Sequence, residues 1–154
     1  MATSWPQASS PTLCSGLLTQ PRWIPVLLAE SALWDPVIEE TLRFSPAITI
    51  GMTRTDAAGG RAAVAFGLAN RDPHAFHTPD RFDPTRPGPR HLSFGRGPHH
   101  CLGAALVRTE LRAALPALLT GLPGLRPALD DHALTWTSTT TTRGPSTLPL
   151  TWDR

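Results

Sequence analysis

Apolar positions in this chain come in blocks, separated by polar, proline-rich stretches. The block LLTQPRWIPVLLAESALW, residues 17–34, is dense enough in apolar side chains for a short helix, which Pro25 should kink or split. DPVIEETLRF, residues 35–44, predicts the clearest helix. Asp35 suits the N-cap and Pro36 the first helical position, while Glu39 and Glu40 fall early, where the helix dipole favours anions. Ser45-Pro46 should end it. AITIGMT and AAVAFGLA, within residues 47–69, read as strand pieces around a turn at Gly59-Gly60. Residues 70–93 are polar and proline-studded, with Phe76 and Phe82 as apolar points. A loop of that length is usually functional or wrapped on a scaffold. Residues 102–120 predict a helix in which Leu102, Leu106, Leu111, Leu115, Leu118 and Leu119 lie near one face, with Pro116 kinking or shortening its last turns. Residues 121–134 read as connecting loop. Residues 135–152, Thr-rich and flanked by Trp136 and Trp152, read as a terminal hairpin.

Composition changes this picture in few places. Seventeen prolines in 154 residues limit uninterrupted helix. The Ser/Pro/Thr-rich residues 1–16 read as a disordered leader, leaving 17–154 as one partial domain. That leader lacks the basic n-region and apolar run of a signal peptide. No stretch reaches the roughly 18 apolar residues of a spanning helix, so no membrane partner is expected and the setting is taken as cytoplasmic. Net charge is +2 with the signs interspersed, and no basic stripe points to nucleic acid.

Candidate chemistry concentrates in FGRGPHHCLG, Phe94 to Gly103, which holds one of only two cysteines. Gly95 and Gly97 permit positive φ and close backbone approach. Cys101 falls at or just before a helix start, where backbone N–H groups and the dipole favour thiolate. Five uses of that cysteine stand open on the residues alone: a Cys14–Cys101 disulfide, a zinc ligand, a Cys–His nucleophile, an inert core thiol, or a soft-metal ligand. Adjacent His99, His100 and Cys101 cannot easily converge on one zinc ion, and no second ligand cluster completes a tetrahedron. The inert reading leaves three nearby glycines unexplained. Glu40 and Arg43 share a helix face; on spacing alone they read as a solvated pair worth a few tenths of a kcal/mol.

Several segments together carry a resemblance. Phe94, Gly97, His99, Cys101 and Gly103 fit F-x-x-G-x-H-x-C-x-G, which resembles the haem-binding loop of the cytochrome P450 family, the haem-thiolate monooxygenases. Glu40 and Arg43, in IEETLRFSP, match that family's E-x-x-R helix. ANRDPHAF at 69–76 and FDPTR at 82–86 resemble segments of its soluble bacterial members, as does the terminal RGPSTLPLTW. The fold implied is mainly α with small β pieces, the C-terminal part of the P450 fold: E-x-x-R helix, meander, Cys-ligand loop, following helix and terminal β-hairpin. The chain is truncated relative to a complete member. The long central helix with its acid–alcohol pair and the substrate-recognition helices are not represented, and 55–69 is shorter than the family's strand pair.

The resemblance implies haem b (iron protoporphyrin IX) with Cys101 as catalytic axial ligand, its thiolate favouring O–O cleavage. Phe94 would shield the Fe–S bond. Gly95, Gly97 and Gly103 would let the loop approach the porphyrin, with Leu102, Ala104 and Val107 as apolar contacts. His99 and Arg54 would reach haem propionates, and His100 would be exposed. Glu40, Arg43 and Arg86 would form a buried network locking the meander. The implied partners are O2, a small organic substrate, and a ferredoxin or similar donor with an NAD(P)H reductase, docking near His100, Arg96 and Arg108. Two rival readings remain: a non-catalytic remnant that binds haem weakly or not at all, and a zinc-binding module.

Overall fold

A computed structural model describes residues 12, 14–51, 54–55, 57–88, 90–139 and 141–153. Most of the expected leader lies outside them. Residues 14–18 are helical, however, with Ser15 and Leu17 buried, so described helix lies inside the 1–16 boundary. The cause is close packing: a Cβ on Gly16 would stand 2.7 Å from Ser45 Oγ.

The apolar block at 17–34 does split, but at 19–22, where Pro21 interrupts the chain. Helix α1, Trp23–Ala29, carries Pro25 as its third residue. First-turn N–H groups have no intrahelical partner, so the missing donor costs nothing there. A 3-10 turn, Ser31–Leu33, runs directly into α2, Trp34–Phe44. Asp35 is therefore inside the first turn rather than the N-cap, and its carboxylate accepts from Arg112 Nε at 2.5 Å.

Between α2 and the meander the expected strands are short. β1, Arg54–Thr55, pairs antiparallel with β2, Arg61–Ala62, around a turn in which Gly59 has φ +83°. Ile48 makes only an isolated bridge to Thr142. The second strand piece instead closes into a helical turn, α3, Phe66–Ala69, where the Asn70 N–H donates to the Phe66 carbonyl at 2.9 Å. The described residues of 70–93 form turns and bends without helix or strand.

Helix α4, Ala104–Gly121, runs through Pro116 rather than stopping at it. Its buried face is Ala104, Leu111, Leu115 and Leu119, with Val107 beside them, packed on α1 and α2. Leu102 and Leu106 were expected on this face but are fully and more than half exposed; Leu118 is exposed as well. Leu102 precedes the helix and cannot follow its periodicity. The core joins Leu17, Leu27, Val37, Ile38, Leu42 and Phe82 to the α4 leucines. Each such side chain contributes about 1.5–3 kcal/mol of burial.

The expected loop 121–134 holds β3, Arg126–Pro127, and a 3-10 turn, Asp131–Ala133. β4, Trp136–Ser138, and β5, Arg143–Pro145, form the terminal hairpin. It is shorter than the two tryptophans would bracket, because β6, Leu150–Thr151, pairs back onto β3. Among the described residues no helix is long and apolar enough to cross a membrane.

Candidate functional site

The loop before α4 is built from two left-handed glycines and one returning hydrogen bond. Gly95 has φ +69° and Gly97 φ +76°, values that only glycine adopts without strain. The Gly95 N–H donates to the Leu92 carbonyl at 2.8 Å, and a 3-10 turn follows over Gly97–His99. The Cys101 N–H then returns to the Phe94 carbonyl at 2.8 Å, and the Cys101 carbonyl accepts from Ala104 at 3.2 Å as α4 begins. Gly103 is the N-cap of α4. Its φ is ordinary, and a Cβ there would touch Cys101 Sγ at 3.8 Å.

Cys101 is partly exposed and, like Cys14, a free thiol, so the disulfide reading is set aside. Burial pushes the Cys14 thiol pKa up, as expected for a core cysteine. Leu102, next in the chain, and Leu106, in the first turn of α4, are both exposed. A lone soft sulfur donor on a glycine-cleared, apolar surface fits a flat apolar group that brings its other metal ligands with it, as haem does. Among the described residues no group of three or more His, Cys, Asp and Glu side chains converges to hold an ion. The zinc reading therefore finds no set of three ligands among the described residues.

Behind the loop, Phe94 is held on several sides. The Arg108 guanidinium lies 4.7 Å from its ring centroid, and the rings of His91 and His100 stand 5.8 and 6.3 Å away. Arg108 forks onto Glu39, with Nε at 2.5 Å from Oε1 and Nη2 at 2.8 Å from Oε2. His91 Nδ1 accepts the Ser93 N–H at 3.2 Å, which leaves the ring proton on Nε2. That atom is 3.2 Å from Glu39 Oε2, near enough for a charge contact though not aligned as a hydrogen bond. Partial burial raises the Glu39 pKa, but the bonds and charge of Arg108, with the His91 ring beside the same carboxylate, outweigh it and pull the carboxyl down to about 2. A groove of about 1040 Å³ opens on this side, with Glu39, Arg86, Arg96, His100 and Arg108 in its wall and Cys101 outside it.

The second constellation is buried, against the expectation from spacing alone. Glu40 and Arg43 are 5% and 2% exposed and meet as a fork, Nε–Oε2 at 2.7 Å and Nη2–Oε1 at 2.8 Å. Arg43 Nη1 donates to the Asn70 carbonyl at 2.7 Å, and the Asp83 N–H donates to Glu40 Oε1 at 2.8 Å. Arg86 Nη2 reaches the same oxygen at 3.5 Å and donates more closely to the carbonyls of Arg81, 2.5 Å, and Thr78, 3.2 Å.

The structure thus brings Glu40, Arg43 and Arg86 together against the meander, and Phe94, Gly95, Gly97, Cys101 and Gly103 in the loop that follows it. His99 is exposed on the 3-10 turn, and His100 is also exposed. Arg54 opens β1, but its side chain lies outside the described residues. Arg108, expected on a docking face, is neutralised by Glu39. Sequence reasoning gave no role to Asn70, Ser93 or His91. Asn70 is fully buried; its Nδ2 donates to Ser93 Oγ at 2.8 Å and its Oδ1 accepts from the Leu92 N–H at 2.7 Å. Ser93 Oγ donates in turn to the Leu42 carbonyl at 2.7 Å. Asn70 lies after an apolar run and inside the ANRDPHAF resemblance, and neither signal names its partners.

Fold and site together define a mainly helical framework that presents one cysteine thiol from a glycine loop at a helix start. The family profile described as Cytochrome P450 matches residues 28–122. The mycinamicin IV hydroxylase/epoxidase of Micromonospora griseorubida is 40% identical over 144 residues, covering 92% of this chain and 36% of that protein. Cytochrome P450 105C1 of a Streptomyces species is 40% identical over 147 residues, 88% of this chain and 39% of that one. The tirandamycin C-bound P450 monooxygenase TamI superposes with a TM-score of 0.88 at 29% identity, over 95% of this chain and 39% of TamI. The LnmA hydroxylase of Streptomyces atroolivaceus gives 0.79 at 38% identity, over 95% and 42%. This chain belongs to the cytochrome P450 family. Members of that family are haem b monooxygenases that draw on O2, an organic substrate and an electron donor. The chain spans a little over a third of the length of the mycinamicin relative, 36%.

Proposed function

We propose that this chain is the haem-holding part of a monooxygenase that inserts one oxygen atom from O2 into a small organic substrate. The observation that carries the reading is the partly exposed Cys101 thiol, on a loop closed by its own N–H to the Phe94 carbonyl at 2.8 Å. When bound, haem b supplies the one-electron and O2 chemistry. The chain's own residues do the holding. Cys101 would supply the thiolate ligand to the haem iron, with Phe94 packed behind it. Gly95, Gly97 and Gly103 would keep side chains off the ligand surface, and exposed Leu102 would offer an apolar contact. His99 and Arg54 would meet the propionates. Glu40, Arg43 and Arg86 fix the meander behind the loop.

Electrons come from a ferredoxin-like donor served by an NAD(P)H reductase in the cytoplasm. Arg96 and His100 in the groove are its docking contacts; Arg108, already paired with Glu39, is not. Arg96→Glu is expected to slow reduction by the donor while leaving haem content unchanged. Equal rates would remove Arg96 from that role.

A second reading is a chain that alone binds haem weakly or not at all. The open apolar side chains of Leu68, Leu102 and Leu106 favour it. One experiment separates the two: reconstitute the chain with haem, reduce it, add CO and record the spectrum. A red-shifted, thiolate-type Soret band supports the first reading. Absence of haem uptake supports the second.

A further inference from the structure

We propose that Glu39, Arg108 and His91 are positioning residues that clamp Phe94 and thereby hold the Cys101 loop in its ligand-presenting shape through protein contacts alone. The proposal rests on the reading of Cys101 as the haem ligand and adds to it how the loop keeps its form. The Phe94 carbonyl accepts the bond that sets the Cys101 backbone, so where Phe94 goes, Cys101 follows. The Phe94 ring is fixed by the Arg108 guanidinium at 4.7 Å, a cation–π contact. An arginine side chain would ordinarily sample many rotamers. Here two bonds to Glu39 on α2 fix the fork, and His91, at the end of the meander, faces the same carboxylate. Three elements far apart in sequence therefore converge on one ring.

A plain interhelical ion pair is the competing explanation, and the fold supplies its own control. One turn further along the same two helices, Arg112 pairs with Asp35 through Nε at 2.5 Å. That pair is about half exposed on both sides, at 49% and 61%. Arg108 is 24% exposed and carries the aromatic contact as well. If Arg108 and Glu39 only tied α2 to α4, losing either pair would do the same thing.

The test uses the full chain without haem and reads amide hydrogen exchange. In Arg108→Met, which keeps the stem, and in Glu39→Gln, the Cys101 amide should exchange about tenfold faster, while Leu111 and Leu115 in α4 stay protected. Arg108→Lys, which keeps the charge but loses the fork, should recover only part of the protection. Arg112→Met should leave the Cys101 amide unchanged. Equal exchange at Cys101 in the Arg108 and Arg112 variants overturns the proposal. So does loop exchange that rises only in step with α4, since that is general destabilisation. Glu39→Gln gives the same reading where Arg108→Met does not fold. Failure of the parent chain to take up haem counts against the proposed function and leaves this exchange result standing.

Discussion

The Arg43 guanidinium and the Asn70 carbonyl meet at 2.7 Å, although 27 residues separate them. The same guanidinium forks onto Glu40, so one buried cation joins the middle of α2 to the first residue of the meander. Its ring neighbours are Phe44 at 5.7 Å and Phe76 at 5.4 Å. Four of its five N–H groups donate within the protein, to Glu40, Asn70 and Arg81.

Removing one member of such a pair strands the other charge in the core. Arg43→Met should cost about 3–5 kcal/mol, most of it from the unpaired Glu40 carboxylate. Arg43→Lys should recover little, because an ammonium cannot fork onto Glu40 and reach the Asn70 carbonyl together. Urea unfolding measures both. A domain is stable by only about 5–15 kcal/mol, so the soluble yield of either variant should fall as well.

Asn70 and Ser93 should behave as one unit. Asn70→Ala leaves the partly buried Leu92 N–H without its acceptor, a loss of about 1–3 kcal/mol. Ser93→Ala removes both the partner of Asn70 Nδ2 and the donor to the Leu42 carbonyl. A double-mutant cycle should give a coupling of about 0.5–3 kcal/mol, the range for residues in one hydrogen-bond network. Additive losses would show that the two act separately.

These networks mark the limit of what the chain's linear pattern discloses. The α2 helix, the glycine loop and α4 are legible because local spacing and caps determine them. Glu40 and Arg43 are visible as a pair, but spacing alone does not show their burial, which only the family resemblance implies, since Phe76, Phe82 and Asp83 arrive from the meander to cover them. Glu39 reads as a dipole-stabilising residue; its real partner, Arg108, is 69 positions away. Helical periodicity puts Leu106 on the apolar face, yet the core of the described residues lies on the Leu111–Leu115–Leu119 side. Ala-rich AAVAFGLA fits a strand by apolar content and closes into a helical turn because its small residues allow the Asn70 N–H to reach Phe66.

Arg86 should act on the meander more than on α2. Its short bonds go to the carbonyls of His77, Thr78 and Arg81, while Glu40 is 3.5 Å away. Thr78 holds φ +45°, a left-handed conformation that costs a non-glycine residue about 1–2 kcal/mol. Arg86→Ala should let Thr78 relax, making residues 77–86 the first site of limited proteolysis, and haem retention should drop with it. Haem content and cleavage pattern equal to the parent would remove this role from Arg86.

Acid should weaken the contact between α2 and α4 in a defined window. The Glu39 carboxyl titrates at about 2 in the folded chain against an ordinary 4.5. A lowered folded pKa means the unfolded chain binds the proton more readily. The stabilisation is therefore complete above about 4.5 and is lost as pH falls towards 2. Glu39 is 40% exposed, so solvent screening keeps the effect modest. Thermal midpoints of the parent should fall more steeply across that window than those of Glu39→Gln. Parallel curves would mean that another carboxylate dominates.

Two glycines of the loop should fail for different reasons. A Cβ on Gly97 meets nothing within 4 Å, so Gly97→Ala adds no clash; its whole cost is the φ of +76°. That is about 1–2 kcal/mol of stability, readable in the haem-free chain. Gly103 has φ −79°, which alanine adopts freely, and its Cβ would make ordinary contact with Cys101 Sγ at 3.8 Å. Gly103→Ala should therefore leave unfolding within about 0.5 kcal/mol of the parent. Its effect should appear only when haem is added, as weaker uptake or a displaced Soret band, because the new methyl borders the sulfur. If Gly103→Ala changed stability as much as Gly97→Ala and left haem uptake untouched, the thiol face assigned to the ligand would be the wrong one.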